Sequence, residues 1–437
     1  MPRVFPFRAL HYDVAKIGSL DAVVSQPYDK ISDATREKYY ARHERHIVRI
    51  AKPKEDPGKD KYAEAAKTLE AWLADGTIVR ETEPAVWISH QVFKFNGETR
   101  TRKGFVAIGE LAEFGKGGVH AHEKTLAAPK KDRFALMTAT RGLTEGHIFM
   151  LYSDSKNAAN AALDPFTKGP PTLEAKDDYG ETHRAWRVTD AKAIAAVQAD
   201  LAKRDIFIAD GHHRYEVALQ YREECRKAGL TCDGEETYDR RMMTFINMED
   251  PGMVIFPTHR LVSGLPRFDA KDFLKKVAPH FDAKDYGPAS DEQRRELMED
   301  LRIEGQVKHC FGFATPAGGL WLLTLKDEKL AETEIKEQRA PEWKRLDVAI
   351  LHSLLLDRAL GITADMVEKE QHVSYARHAD EVWAALPNAQ AAFLLNPTKL
   401  SEVKTISEKG ERMPQKSTDF YPKLLTGFIM NRVSFAR

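Results

Sequence analysis

The segment FIADGHHRYEVAL, residues 207–219, limits the fold of this chain more than any other part of the sequence. An apolar run ending at Ala209 is typical of a buried strand, and apolar residues at helical spacing resume from Tyr215. Between them, Gly211 lets the backbone turn tightly, and Asp210 is a favourable cap for the next helix. The segment therefore predicts a buried strand that turns directly into a helix, in a chain of the mixed α/β class.

The polar cluster at this turn predicts a bound anion. His212, His213 and Arg214 fall in the first helical turn, where backbone N–H groups lack intrahelical acceptors and the helix dipole is positive. Cations are poorly placed there unless an anion lies opposite them, and arginine can hold two phosphate oxygens at once. The residues alone leave a second interpretation open, in which Arg214 pairs with Asp210 or Glu216 and the histidines cap neighbouring carbonyls.

The bulk composition narrows the class of protein. The 437 residues exceed the roughly 250–300 at which one core stops growing, so two or three domains are expected. Lys plus Arg and Asp plus Glu each total 66, and this zero net charge argues against a protein that holds nucleic acid through its phosphates. Three scattered cysteines, no signal peptide and no long apolar run predict a cytoplasmic protein that does not enter membranes.

Turn and helix signals predict several elements. Residues 61–76 carry apolar positions at helical spacing, and Asn96-Gly97 between two apolar runs predicts a β-hairpin. Residues 168–179, rich in Pro, Gly and charge, predict a surface loop. Residues 240–248 and 253–262 predict two neighbouring strands.

A boundary near Pro266 predicts two domains. The first, residues 1–265, contains the strand–helix turn and an insertion at about residues 50–185. The second, residues 266–437, is predicted to be an α+β domain that packs on the site.

Several short segments match a family pattern. They are ADGHHRYEVAL, SQPYDKIS, HEKTLAAPKKDRFALMTATR, PTHRLV, RLDVAILH and MPQKSTDFYPKL. Over nearly its whole length the chain resembles a bacterial and archaeal family known as domain of unknown function 1015. Gln26 replaces the first proline of the family's P-P-Y-D-V-I-S segment. The residues that match the family's H-E-x-T-x-x-x-P-K-x-D-R segment are His122, Glu123, Thr125, Asp132 and Arg133.

A strand followed by G-x-H-R and a helix is also similar to the ParB–sulfiredoxin superfamily, which includes the free serine kinases. This resemblance implies a ParB/sulfiredoxin-like core with a large insertion. It also implies that Gly211, His213 and Arg214 hold nucleotide phosphates, with His212 at a variable position. The serine kinases carry an essential acid on an N-terminal segment, and Asp29 is the residue in the corresponding place.

Residues outside the turn complete the predicted site. Asp29, Glu123 and His213 are the catalytic candidates, and Asp29, Asp210 and Glu123 are the candidate Mg²⁺ ligands. For Asp29 a helix-cap role stays open. A zinc site built from HAHE, residues 120–123, and the two histidines of the turn is a minority alternative.

Two further candidates lie near the C-terminal half. His259 lies just past an apolar strand end and is predicted to contact the nucleotide, whereas Arg260 is expected to form a surface salt bridge. Lys416 is predicted to bind the nucleotide from a lid that also carries Ser417 and Lys423. A solvated turn is an equal alternative for this lid segment.

These residues predict a phosphotransferase that uses a nucleotide, ATP or ADP, and Mg²⁺ to phosphorylate a small hydroxylated metabolite. Serine is the first candidate substrate, on the superfamily resemblance alone. The alternatives are a ParB-like nucleotide switch or DNA-associated protein, and a phosphatase of a small phosphate ester that uses the same anion site. The expected partners are the nucleotide and the substrate, with a homodimer left open.

Overall fold

The computed structural model describes residues 3–125 and 127–436, except for the side chain of residue 128. It confirms the predicted mixed α/β class. Its contacts divide the chain into two compact units: residues 1–121, 125–254 and 422–437 form the first, and residues 122–124 and 255–421 the second. The predicted domains and their insertion stay a prediction, because compact units need not be domains. Within the described ranges, no helix is long and apolar enough to cross a membrane.

A nine-stranded sheet forms the centre of the first unit. In spatial order its strands are Val119–His120, Ile206–Asp210, Ile148–Tyr152, Arg240–Asn247, Glu98–Glu110, Val86–Phe95, Thr182–Val188 and Leu173–Lys176, with Val4–Phe5 paired to Glu98–Glu110. The sheet is mixed, since Ile206–Asp210 runs parallel to Val119–His120 and antiparallel to Ile148–Tyr152.

Both faces of this sheet are buried, which explains the apolar runs in its strands. Ile88 and Phe105 point into one hydrophobic cluster, together with Tyr215 of the helix that follows the turn. Trp87 and Val106, one residue away, point into the cluster on the opposite face. This alternation is the period of two expected of a strand.

A four-stranded sheet and eight α-helices complete the described part of the first unit. The strands are Ile78–Arg80, Leu10–Tyr12, Thr426–Arg432 and Leu143–Gly146. The helices are Val14–Ile17, Asp33–Arg42, Val48–Ala51, Lys61–Ala74, Ala127–Ala139, Ala158–Leu163, Ala191–Leu201 and His212–Lys227, with short 3₁₀ turns at Leu20–Ala22, Tyr28–Lys30 and Asp164–Thr167.

The second unit is built around a six-stranded antiparallel sheet. Its order is Phe281–Pro288, Gly319–Leu325, Cys310–Ala314, Ala391–Leu394, His259–Val262 and Val373–Ala376. Its helices are Ala270–Val277, Asp291–Glu304, Lys329–Glu334, Pro341–Lys344, Asp347–Ile350, Ala364–Glu368, Ala379–Ala385 and Leu400–Glu408; a π-helix, Leu351–Ala359, continues Asp347–Ile350, and a 3₁₀ turn occupies Leu386–Asn388. Short strands at Val254–Phe256 and Asp419–Tyr421 lie at the ends of this part of the chain.

Several local predictions are confirmed. The hairpin turns at Asn96 and Gly97, whose φ angles of 51° and 80° are those of a tight hairpin turn. The helix predicted in residues 61–76 runs from Lys61 to Ala74, with the Asp60 side chain accepting a hydrogen bond from the N–H of Tyr62.

Two local predictions are wrong. Residues 168–179 are not wholly a loop, because Leu173–Lys176 forms an edge strand in which buried and exposed residues alternate. The strands predicted in residues 240–248 and 253–262 are not neighbours. Arg240–Asn247 belongs to the nine-stranded sheet, and His259–Val262 belongs to the six-stranded one. Both segments are apolar, and pairing between strands is set by the whole chain rather than by local sequence.

Candidate functional site

The predicted strand and helix meet at the expected turn, in the first unit. We call Ile206–Asp210 the site strand and His212–Lys227 the site helix. Gly211 occupies the cap position of the helix with φ 96°, a left-handed conformation that favours glycine. The prediction that Asp210 caps the helix is wrong: Asp210 ends the strand, and its carboxylate pairs with cations instead.

Arg214 folds back from the first turn of the site helix and is nearly buried. Its side chain is 13% exposed, and its Nη2 lies 3.4 Å from Oδ1 of Asp210. Nη1 donates a hydrogen bond to the carbonyl oxygen of His147. Nε is buried and meets no hydrogen-bond acceptor among the residues that the structure describes. The guanidinium is therefore fixed in place while part of its donor capacity stays unused.

Two glycines make the space that Arg214 occupies. A Cβ at Gly211 would lie 3.1 Å from the Cζ, Nε and Nη2 atoms of the guanidinium. A Cβ at Gly146, in the strand Leu143–Gly146, would lie 3.3 Å from its Nη1. Glycine is thus favoured at position 211 both by its backbone conformation and by the close approach of the arginine.

Asp210 is shared between cations. Its Oδ2 accepts a hydrogen bond from Nζ of Lys423 at 3.1 Å, while its Oδ1 faces Arg214. Burial alone would raise the pKa of this carboxyl, but Lys423 and Arg214, with a smaller contribution from Lys30, hold it well below its usual range. Asp210 is therefore ionised at every physiological pH, and it balances more than one positive charge.

The N-terminal segment brings Asp29 to the same cluster. Asp29 is exposed in the 3₁₀ turn Tyr28–Lys30, and its charge acts on both Tyr28 and His213. Burial and the Asp29 carboxylate raise the pKa of Tyr28 to about 12, against the opposing charges of Arg133 and Arg214. The Arg133 guanidinium lies over the Tyr28 ring, 4.2 Å from its centre, as a cation–π contact.

The two histidines of the turn differ in their surroundings. His212 is buried, whereas His213 is partly exposed. Burial lowers the pKa of His213, although Glu216 and Asp29 act in the opposite direction. Glu216 does not pair with Arg214; its Oε2 accepts hydrogen bonds from Thr125 and Lys130 at 2.6 and 2.8 Å. A neutral imidazole at position 213 has a nitrogen that can accept a proton.

A buried hydrogen-bond chain ties the segment before Asp29 to the segment that carries Lys423. Gln26 donates to Asp177 at 3.0 Å, and the same carboxylate oxygen lies 3.2 Å from Nε2 of His183. Nδ1 of His183 lies 3.2 Å from the side-chain nitrogen of Gln91, which also donates to the carbonyl of Lys423 at 2.9 Å. This chain fixes residues on both sides of the cluster, because each of its links is a short polar contact inside the core.

One protein-family model matches most of this chain. A family model described as "Protein of unknown function (DUF1015)" matches residues 4–349. The chain belongs to this family. No curated protein matches the sequence of this DUF1015 member.

Solved structures match this family member at low sequence identity. A variant of a free serine kinase in complex with ADP is 10% identical, with 72% of this chain and 89% of that chain covered and a TM-score of 0.36. A conserved hypothetical protein from Pyrococcus furiosus is 13% identical over 70% and 90% of the two chains, with a TM-score of 0.31. SbnI from Staphylococcus aureus, truncated at its C-terminus, is 9% identical over 73% and 80%, also with a TM-score of 0.31. The ParB/sulfiredoxin-like core stays a prediction.

Three of the predicted site residues lie in the second unit. Glu123 is partly exposed within residues 122–124. His259 is buried, and its Nδ1 accepts a hydrogen bond from the N–H of Leu395 at 3.1 Å. Burial and the neighbouring Arg260 lower its pKa to about 4, so this ring is neutral. Lys416 has φ 58°, and its Nζ lies 3.8 Å from Oε1 of Glu370. Nucleotide binding by these residues stays a prediction.

The expectation for Arg260 is wrong. This arginine is fully buried in the strand His259–Val262 and forms no salt bridge with any carboxylate in the described part of the chain. It donates instead to the carbonyl oxygens of Thr258 and Lys416. The polar segment PTHR resembles a loop in sequence, but the sheet buries it.

The predicted Mg²⁺ ligands do not form a ready cation site. Both oxygens of Asp210 are engaged, one by Lys423 and the other by Arg214. Residues 3–125 and 127–436 contain no group of three or more histidine, cysteine or carboxylate side chains arranged to hold a metal ion. The same finding gives the zinc alternative no support among these residues. Binding of Mg²⁺ by Asp29, Asp210 and Glu123 stays a prediction, and no step below depends on a metal.

Sequence reasoning missed part of this cluster. It named Lys423 only as a lid residue, and it gave no role to Tyr28 or His147. Lys423 and Asp210 are separated by 213 positions, so no local pattern joins them. The family match at Arg133 and the SQPYDKIS motif were the available signals for Arg133 and Tyr28.

Proposed function

We propose that the turn between the site strand and the site helix binds the phosphates of a nucleotide, and that the protein transfers phosphate to a small hydroxylated metabolite. The observation that carries this proposal is the fixed guanidinium of Arg214. It lies at a helix N-terminus, and the carboxylate that it faces in the described chain, that of Asp210, is shared with Lys423. Positive charge with spare donors at such a position favours a bound anion.

The rigid setting of Arg214 favours catalysis as well as binding. The guanidinium lies close to the backbone at Gly211 and Gly146, and it donates a hydrogen bond to the His147 carbonyl. An arginine that is already ordered loses little entropy when a phosphate arrives. Phosphoryl transfer asks a protein mainly for positioned charge, which Arg214 and Lys423 would supply to the transferred group.

Asp29 and His213 are the candidates for accepting the proton of the substrate hydroxyl. Asp29 is exposed and lies within electrostatic reach of His213. The lowered pKa of His213 keeps its imidazole neutral at pH 7, the form that can take a proton. A positioned base of this kind contributes about 10²–10⁴-fold to the rate. Serine is the first substrate to test, and ATP and ADP are the first donors.

A turnover assay tests the proposal. The protein is incubated with ATP or ADP, Mg²⁺ and a panel of hydroxylated metabolites headed by serine, and ³¹P NMR follows the phosphate signals. We expect a new phosphomonoester in the wild-type protein and a loss of about a hundredfold or more in Arg214→Gln. Arg226→Gln, which changes an exposed arginine on the same helix, serves as the control and should turn over like the wild type.

Other results would redirect the proposal. Release of inorganic phosphate from a phosphate ester, without transfer to an alcohol, would indicate the phosphatase alternative at the same anion site. Slow nucleotide hydrolysis that no metabolite accelerates would indicate a nucleotide switch. Equal phosphomonoester formation in wild type and Arg214→Gln would contradict the proposed role of this arginine.

A further inference from the structure

A cavity in the second unit, which does not include the residues discussed above, has the dimensions of a ligand site. Its volume is about 510 Å³, within the range of pockets that hold small molecules. Its lining comes from the loop around His309, the strand Gly319–Leu325, the segment that starts the helix Asp347–Ile350, and the first turns of the helix Leu400–Glu408. All of these elements belong to one compact unit.

Most of the charged side chains that line this cavity are already paired. Arg345 lies 3.3 Å from Glu328 and 2.5 Å from Glu332, and the ring of His309 lies 2.7 Å from Asp347. The remaining ion pairs are His309 with Glu328, Lys326 with Asp282, Lys308 with Glu304, and Glu342 with Lys409. These pairs leave little net charge for a ligand to meet.

Two charged residues are left over after this pairing. Lys399 and Glu402 line the cavity from the N-terminal end of the helix Leu400–Glu408, and neither forms an ion pair with any residue in the described ranges. The Glu402 carboxylate accepts one hydrogen bond, from the backbone N–H of Lys399 at 2.8 Å. Burial and the nearby Asp347 raise its pKa, against the opposing charges of Lys399 and His309. The cavity thus presents one unpaired cation beside a carboxyl group that lacks a cationic partner.

We propose that this cavity binds a free α-amino acid. The ligand's carboxylate would meet the ammonium group of Lys399 and the positive end of the helix Leu400–Glu408, which has nine residues. Its ammonium group would meet the Glu402 carboxylate, which forms no ion pair within the described ranges and lies near Asp347. The side chain of the amino acid would occupy the rest of the 510 Å³ volume.

Ligands with a single kind of charge fit this lining less well. A phosphate or dicarboxylate would have to approach Glu402 and Asp347, and a simple amine would have to approach Lys399. Like charges repel each other in a partly desolvated site, which weakens the binding of such ligands. A zwitterion carries one charge of each sign, so it can pair with Lys399 and with Glu402 at the same time.

Calorimetric titration of the 437-residue protein tests the proposal. The twenty free amino acids are titrated singly, and the best ligand is compared with its N-acetyl derivative and its methyl ester. We expect binding of at least one free amino acid, and a loss of about tenfold to a hundredfold on blocking either the amine or the carboxylate. Glu402→Gln and Lys399→Met should each weaken binding by a similar factor, while Glu408→Gln, on an exposed residue of the same helix, should not.

Thermal unfolding without ligand checks that each variant is folded, and glutamine at 402 keeps the acceptor for the Lys399 N–H. Absence of binding by all twenty amino acids would overturn the proposal. So would a best ligand whose affinity is unchanged in both Glu402→Gln and Lys399→Met. An affinity lost instead in Arg214→Gln would place the amino acid at the nucleotide site and also overturn it. None of these results depends on phosphotransfer, so failure of the proposed function is a separate outcome.

Discussion

Arg214 in the first unit and Arg260 in the second each follow a histidine in the sequence, yet their settings are opposite. Arg214 stands at the start of a helix and shares the Asp210 carboxylate with Lys423. The Nε of each arginine is buried and meets no acceptor among the described residues, so this atom does not distinguish the two. Arg260 lies inside a strand, is fully buried, and donates to the carbonyls of Thr258 and Lys416. Burial lowers the pKa of Arg260 to about 10.

The difference shows that the same His-Arg dipeptide can have different roles in different local structures. A guanidinium surrounded by its own chain's carbonyls holds two segments together, and a ligand would have to displace those bonds. A guanidinium at a helix N-terminus lies beside backbone N–H groups that have no intrahelical acceptor, so an anion there meets donors of both kinds. We therefore propose a ligand-binding role for Arg214 and a structural role for Arg260.

The largest expected effect concerns three buried histidines, of which His147 and His259 lie beside these arginines. Burial, their first cause in each case, lowers the pKa of His147 and His46 to about 3 and that of His259 to about 4. The unfolded chain takes up protons below about pH 6.5, whereas the folded chain does not until about pH 4. Stability is therefore fully present above pH 6.5 and falls as the pH drops, by roughly 2 kcal/mol per buried ring between pH 7 and 5.

Thermal unfolding measured at pH 7, 6 and 5 checks this prediction. His147→Gln and His259→Gln should each flatten the pH dependence, in the first and second unit respectively. Melting temperatures that stay constant from pH 7 to 5 would contradict the neutral, buried state of these rings.

The next effect separates the two arginines by stability. Arg260→Met leaves the carbonyls of Thr258 and Lys416 without their donor inside the core, at a cost of about 2–4 kcal/mol. Arg214→Met loses one carbonyl contact, and Asp210 keeps Lys423, so we expect about 1 kcal/mol. Chemical denaturation of both variants provides the measurement. A larger loss for Arg214→Met would reverse the assigned roles.

A smaller effect concerns two glycines at the ends of the site helix. Gly211 and Gly229 have φ angles of 96° and 65°, so alanine is strained at both, by about 1–2 kcal/mol. A Cβ at Gly211 meets the Arg214 guanidinium, whereas a Cβ at Gly229 has no heavy atom of the described chain within 4 Å. Both alanine variants should therefore lose similar stability, but only Gly211→Ala should lose nucleotide affinity. Equal nucleotide affinities in the two variants, measured by calorimetry, would contradict the proposal that Gly211 places the Arg214 guanidinium for nucleotide binding.

The local part of this site was predictable from sequence, and the assembled part was not. The apolar run, Gly211 and the helical spacing after it predict the strand and helix, because each depends on near neighbours. The pairing of Lys423 with Asp210 depends on the strand Thr426–Arg432, whose partners Leu143–Gly146 and Leu10–Tyr12 are distant in sequence. The burial of Arg260 was missed for a related reason: the polar residues Thr258 and His259 before it predict an exposed position, and only the six-stranded sheet encloses it.

The central claim is that Arg214 binds the phosphates of a nucleotide at the strand–helix turn. Calorimetric titration with ADP and ATP, using wild type, Arg214→Gln and Arg226→Gln, tests it most directly. The account predicts saturable binding to wild type and Arg226→Gln, and an affinity at least about tenfold weaker in Arg214→Gln. Wild-type affinity in Arg214→Gln, or no nucleotide binding by the wild type, would contradict it.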